Sequence, residues 1–312
     1  MDFSALLNKM FVFVVMMLVG YVGARKKILS KDFAKGLSTL VMNVFLTCSI
    51  LNSVITEPPE LSGKDLAITM FVLTLILIVS YALSFLCVRV FRLNHDNGAL
   101  NELSMSVMNN VFIGMPVAQE LFGSAGALYC ALNCIPFNLV LYTYGVWRLK
   151  HGKGGSADDG ASAMRIKDVL TIPLIATFVA LAIFLIQPPV PRVVSEFIST
   201  TAAATMPVSM IVIGATLGNV NILDSFREKR AYIISFVRLV LCPLIFMLLM
   251  PILPGDKALL GSAVIIAGCP TAVVISVLAL QYDYDASYSS KCILMTTVLS
   301  MITLPVFSYF LM

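Results

Sequence analysis

Charge is scarce in this sequence. Lysine, arginine, aspartate and glutamate together make up 12% of the 312 residues. A soluble domain carries about 25%. A water-soluble globule of this size cannot coat its surface with so few charges. That excludes a soluble enzyme, a nucleic-acid-binding protein and a disordered chain. Histidine is scarcer still, with only His95 and His151. A membrane-embedded enzyme would want His/Asp/Glu clusters at a membrane face, and two loop histidines do not make one. No GxxxxGK[ST] loop occurs, so direct ATP-driven action is not expected. The seven cysteines are odd in number and scattered, without a CxxC pair. They read as small apolar packing residues. No metal or other cofactor is expected.

What the chain has in excess is apolar length. Hydrophobic residues make up 59%, and mean hydropathy is +0.94. A spanning helix needs about 20 mostly apolar residues. Ten stretches qualify, near 6–24, 34–55, 66–88, 99–122, 125–147, 169–186, 193–217, 231–253, 258–280 and 286–311. The first is followed by Arg25, Lys26 and Lys27 instead of a small-residue cleavage site, so it reads as a span, not a leader. The expected class is an all-α integral membrane protein of ten transmembrane helices. Alternating the spans from an outside N-terminus puts 16 of the 21 lysines and arginines on the cytoplasmic side. That bias predicts both termini outside.

The long hydrophilic stretch HGKGGSADDGASAMRIK follows the fifth span and reads as a linker. The organisation expected is therefore 1–148 as a first five-helix repeat, 149–167 as a cytoplasmic linker and 168–312 as a second repeat. Five is odd, so the second repeat would be inverted. The fourth span carries Gly114 and Pro116, and the ninth carries Gly268 and Pro270, the two prolines 154 positions apart. A Gly-x-Pro step in mid-membrane removes a donor and interrupts the helix. Paired discontinuous helices at matching places in two halves point to a transporter binding site. Helix breaks are expected at these four residues.

No aspartate or glutamate falls at a span midpoint. Glu102, Glu196 and Lys291 lie near span ends and are expected to snorkel or face water. Arg238, about two turns into the eighth span, is expected to snorkel to the cytoplasmic interface. Neutral amides stand out instead. Asn109 and Asn110 precede the first break, Asn133 and Asn138 lie in the fifth span, and Thr271 follows Pro270. Asn43 and Asn138 read as helix-to-helix glue. Asn109 is expected to contact substrate.

The stretch NNVFIGMPVAQELFG, residues 109–123, resembles the Asn-Thr-x-x-x-Gly-x-Pro signature of the auxin efflux carrier family. That family includes plant PIN-type carriers and bacterial malate or malonate permeases. Residues 268–306 are similar to the family's second crossover and last helix, and GYVGARKKILSKDFAKG, residues 20–36, to its first loop. The likeness covers nearly the whole chain. It implies a fold related to bile acid:sodium symporters, with helices four and nine crossing between two inverted five-helix repeats. It implies a homodimer, and an elevator-type secondary transporter of small organic anions such as malate, malonate or auxin-like acids. By position, Asn109, Asn110, Asn133 and Thr271 would hold the substrate. Asn110 replaces the usual threonine, Thr47 stands where helix two often has proline, and the third span lacks the Asp/Lys pair of plant carriers. A bacterial-type permease is the better match. A sodium- or proton-coupled symporter of bile-acid-like or neutral substrates on the same fold is the alternative.

Overall fold

A computed structural model describes residues 3–55, 63–93, 97–152, 172–218 and 225–311. The segment 153–171, which holds most of the expected linker and the start of the sixth span, lies outside the described residues, as do residues 56–62 and His95. All described secondary structure is helical except one isolated backbone bridge.

The helices are α1 (Phe3–Arg25), α2 (Lys31–Leu40), α3 (Leu46–Ile55), α4 (Gly63–Val90), α5 (Gly98–Ser106), α6 (Met115–Val140) and α7 (Val146–His151). After the undescribed segment come α8 (Ile172–Ile186), α9 (Arg192–Ala203), α10 (Thr205–Gly218), α11 (Lys229–Phe236), α12 (Cys242–Leu249), α13 (Lys257–Gly268), α14 (Val274–Gln281) and α15 (Ala286–Leu311). Single π turns join α2 to α3, α6 to α7 and α11 to α12, so each of those pairs runs on as one rod. Among the described residues, six helical runs are long and apolar enough to cross a bilayer, and Phe11–Arg25, Ile172–Ile186 and Lys257–Gly268 are shorter apolar helices. The run Asn110–His151 has 42 residues. A straight helix of that length would reach about 63 Å, twice a bilayer core. Gly123 turns it, with φ 65° and ψ −149°, a conformation that favours glycine.

Helix starts follow local chemistry. Ser30 caps α2 by accepting from the Phe33 N–H, and Asp256 caps α13 by accepting from Leu259 N–H at 2.7 Å. Large apolar side chains cover the outside: Phe11, Leu18, Ile78, Leu185, Ile186, Val193 and Phe197 are all more than half exposed. A surface so apolar suits lipid and not water.

Between α1 and α10 the backbones touch. A methyl group at Gly214 would lie 1.8 Å from the Met17 carbonyl oxygen, and one at Gly20 would lie 2.0 Å from that of Ile211. Gly214 and Gly218 form a small-xxx-small step, which lets helices approach where no hydrophobic effect drives them together. Elsewhere α3 packs on α8 and α9, while α6 packs on α4 and α13. The main core cluster holds Met108, Ile113, Met115, Val264 and Cys269. A second gathers Tyr81, Leu100, Leu103, Ile234 and Met295. All seven cysteines are buried and free.

Candidate functional site: a crossing of two broken helices

The first break lies earlier than the Gly114 and Pro116 positions imply. Helix α5 ends at Ser106, residues 107–109 are not helical, and the chain resumes in a π turn, Asn110–Gly114, that runs into α6. Pro116 falls in the first turn of α6, where a missing N–H costs little. The wide π turn, closed by Met115 N–H to the Asn110 carbonyl, takes up the proline's place in the register. The second break does fall at its glycine and proline. Helix α13 ends at Gly268, and Cys269 is extended, with ψ 146°. Proline disfavours helical geometry in the residue before it, so Pro270 places Cys269 there.

The two breaks lie side by side and hold each other. Met108 and Thr271 form an antiparallel bridge. Asn109 N–H donates to the Pro270 carbonyl at 2.7 Å, and Ala272 N–H to that of Val107 at 3.1 Å. Backbone groups freed inside a membrane need such partners. Gly114 makes the approach possible, because a methyl group there would meet the Cys269 Sγ at 2.8 Å and the Asn110 Oδ1 at 3.0 Å. Gly268 has no such constraint; its nearest neighbour would be Pro243 Cβ at 3.4 Å.

The four expected substrate residues all lie at this crossing, in different states. Thr271 is fully buried; its hydroxyl donates to the Ser104 carbonyl at 2.6 Å, and its N–H to Thr296 Oγ1 at 3.2 Å. It fastens the breaks to α5 and α15. The Asn110 amide nitrogen donates to the Cys130 carbonyl at 2.7 Å, tying the crossing to α6. Asn133 is fully buried, and its nitrogen faces the Met108 sulfur at 3.9 Å. The amide oxygens of Asn110 and Asn133 have no hydrogen-bond donor among the described residues. Asn109 caps the resumed helix, accepting from Phe112 N–H at 3.4 Å through its oxygen, and its amide nitrogen has no acceptor among the described residues. Asn138 bonds within its own helix, to the Cys134 carbonyl at 2.9 Å.

Arg238 corrects the expectation of snorkelling. It has no exposed surface and stands at the crossing. Its Nε donates to the Cys269 carbonyl at 2.8 Å and its Nη2 to that of Ile266 at 3.2 Å. Its Nη1 donates to the Met105 and Ser106 carbonyls at 3.3 and 3.5 Å. These carbonyls end α13 and α5, so one guanidinium caps both half-helices. Glu102 is likewise buried instead of facing water. It accepts from the Tyr144 hydroxyl at 2.5 Å and from Arg148 Nε at 2.8 Å. The neighbouring Asn101 accepts from the Tyr288 hydroxyl at 2.6 Å. Every residue of α5 is buried, and the Ser104 hydroxyl in it has no hydrogen-bond partner among the described residues.

Beside the crossing is a cavity of about 440 Å³, walled by Ser49, Asn52, Pro116, Gln119, Glu120 and Thr205 among others. It sits between α3, α6 and the junction of α9 with α10. None of the four expected substrate residues is on its wall. Helical spacing could have found part of it: Pro116, Gln119, Glu120 and Gly123 recur at three to four residues.

An apolar exterior, helices of spanning length and two helices broken within the buried core define a multi-pass membrane protein with a polar centre. Residues 5–308 match the family described as membrane transport protein, and the chain belongs to it. The family is the auxin efflux carrier-like one that the residues around Asn109 resemble. An uncharacterized transporter of Methanothermobacter thermautotrophicus is 27% identical over 297 residues, 94% of each chain. The uncharacterized transporter YfdV of Escherichia coli is 24% identical over 238 residues, 75% of each chain. The protein is a membrane transporter.

Proposed function

We propose that this transporter moves small organic anions across the plasma membrane by secondary, elevator-type alternating access. One observation carries the choice of an anion: Arg238 covers both helix C-termini at the crossing. Each helix end carries roughly half an elementary charge, negative at the C-terminus and positive at the N-terminus. With α5 and α13 neutralised by a guanidinium, the two helix starts near Asn110 and Val274 are left as a net positive field. Backbone N–H groups at a helix start suit a carboxylate. The free amide nitrogen of Asn109 adds one more donor without adding charge. The orphan oxygens of Asn110 and Asn133 would accept from a hydroxyl, so a hydroxy acid such as malate fits both sets. The cavity between Ser49, Asn52, Gln119 and Thr205 is the approach, of a size suited to a small ligand.

The broken helices also support a ten-span, inverted reading, with the α5 and α13 runs as spans four and nine. The basic bias supports termini on the outside. Elevator motion would carry the crossing past the α1–α10 pair, whose glycine contacts make a rigid wall.

The test is uptake and substrate-induced thermal shift of mono- and dicarboxylates in proteoliposomes. Asn109→Ala should weaken affinity about tenfold to a hundredfold, the worth of roughly 1–3 kcal/mol for a lost charge-assisted bond. Asn109→Asp keeps a good helix cap, so it should fold normally yet lose anion uptake. Full anion affinity in the folded Asn109→Asp protein would refute the assignment.

A further inference from the structure

Arg238 is the largest fully buried side chain among the described residues. A buried cation normally needs a carboxylate partner. Arg238 has none among the described residues; its hydrogen bonds there run to four backbone carbonyls, those of Met105, Ser106, Ile266 and Cys269, at 2.8 to 3.5 Å. These oxygens belong to the closing turns of two half-helices that arrive from different repeats and meet at the break. Two helix C-termini together supply roughly one negative charge, which one guanidinium balances. Its planar fork reaches both ends at once.

Converging helix C-termini in an unwound stretch are where transporters coordinate sodium or a proton. Here the oxygens are already taken. We propose that Arg238 is a tethered cation that stands in for a bound inorganic one. It is a positioning residue: it neutralises and ties together α5 and α13, so the crossing needs no sodium ion to hold its shape. For transport this rests on the anion-carrier reading above, and it implies uptake that does not depend on sodium. Other parts of the crossing agree. Thr271 and the Met108 bridge fix the same ends, which leaves the carbonyl cage preformed, not collapsed. Removing the guanidinium would then leave a cage of carbonyls with no donor. Such a cage should recruit a small monovalent cation.

The experiment is thermal unfolding of the purified full chain in detergent, in sodium chloride against choline chloride at equal ionic strength, with no substrate added. The wild-type protein should melt at the same temperature in both salts. Arg238→Met should melt lower in choline and regain several degrees in sodium, saturably. Arg238→Lys should fold and stay indifferent to sodium, because its ammonium fills the cage. A merely structural arginine predicts equal losses in both salts. Saturable sodium stabilisation of the wild type would overturn the proposal, as would a folded Arg238→Met that ignores sodium. Should Arg238→Met be recovered in neither salt, Arg238→Lys decides. Loss of its fold, or a sodium response in it, counts against the tethered charge. The readout uses sodium alone, so its failure leaves the anion reading standing, and failure of the Asn109 test leaves this result standing.

Discussion

Adding one methyl group at Gly114 tests the geometry of the crossing. The backbone there is ordinary right-handed helix, φ −62° and ψ −50°, so alanine meets no conformational strain. Propensity alone would favour alanine by up to ~1 kcal/mol. The neighbours decide otherwise. The new carbon would stand 2.8 Å from Cys269 Sγ and 3.0 Å from Asn110 Oδ1. Overpacking of this kind costs about 1–3 kcal/mol, so after the propensity gain a net loss of up to roughly 2 kcal/mol remains. Gly268→Ala is the matched control. Its closest contact would be 3.4 Å, an ordinary distance, so it should be neutral or slightly stabilising. Cys269→Ala removes the sulfur that Gly114→Ala strikes, at the loss of a weak bond to the Ile265 carbonyl. The double variant should therefore recover about 1–2 kcal/mol relative to the sum of the singles. Equilibrium unfolding in mixed micelles reads the stability, and proteoliposome uptake reads the function. The reasoning fails if Gly114→Ala and Gly268→Ala behave alike, or if the double variant shows no coupling.

Gly214→Ala should leave little folded protein, because its methyl group would fall 1.8 Å from a backbone oxygen of α1 that cannot swing aside; Gly36→Ala, with nothing within 4 Å, should be silent. Size-exclusion profiles after extraction separate them, and a monodisperse Gly214→Ala would contradict the backbone contact. Among the described residues, Glu120 is the one acid on the cavity wall. A carboxylate repels an anion about 10 Å away by up to roughly 1–2 kcal/mol at an effective dielectric near ~20, less what the carboxylate's own partner offsets. Glu120→Gln should therefore raise apparent anion affinity severalfold, most clearly at low salt. Unchanged or weaker binding would place the anion's route elsewhere.

Composition and run length alone determined that this is a multi-helix membrane protein, since 12% charge cannot clothe a soluble surface. Backbone chemistry is local, so Pro270 was legible: it dictates the extended Cys269 directly before it. The first break was misplaced because nothing local interrupts the chain there. Residues 107–109 leave the helix to pair with residues 270–272, more than 150 positions away. Likewise Gly114 and Gly268 look alike in the sequence, and only their neighbours tell them apart. Thr271 was legible only as a polar residue after Pro270; its hydroxyl is committed to the Ser104 carbonyl, 167 positions away, and no local signal announces that contact.

Arg238 is the plainest case. A lone arginine two turns into an apolar span reads as a snorkelling side chain, because the lipid penalty is the only term visible in one dimension. Folding brings two helix ends to it, and their carbonyls supply the counter-charge that no residue letter carries. The hydrophobic exterior and the breakable positions were set by residue chemistry along the chain. The electrostatics of the site were set by which helix termini meet, and only the tertiary structure brings them together.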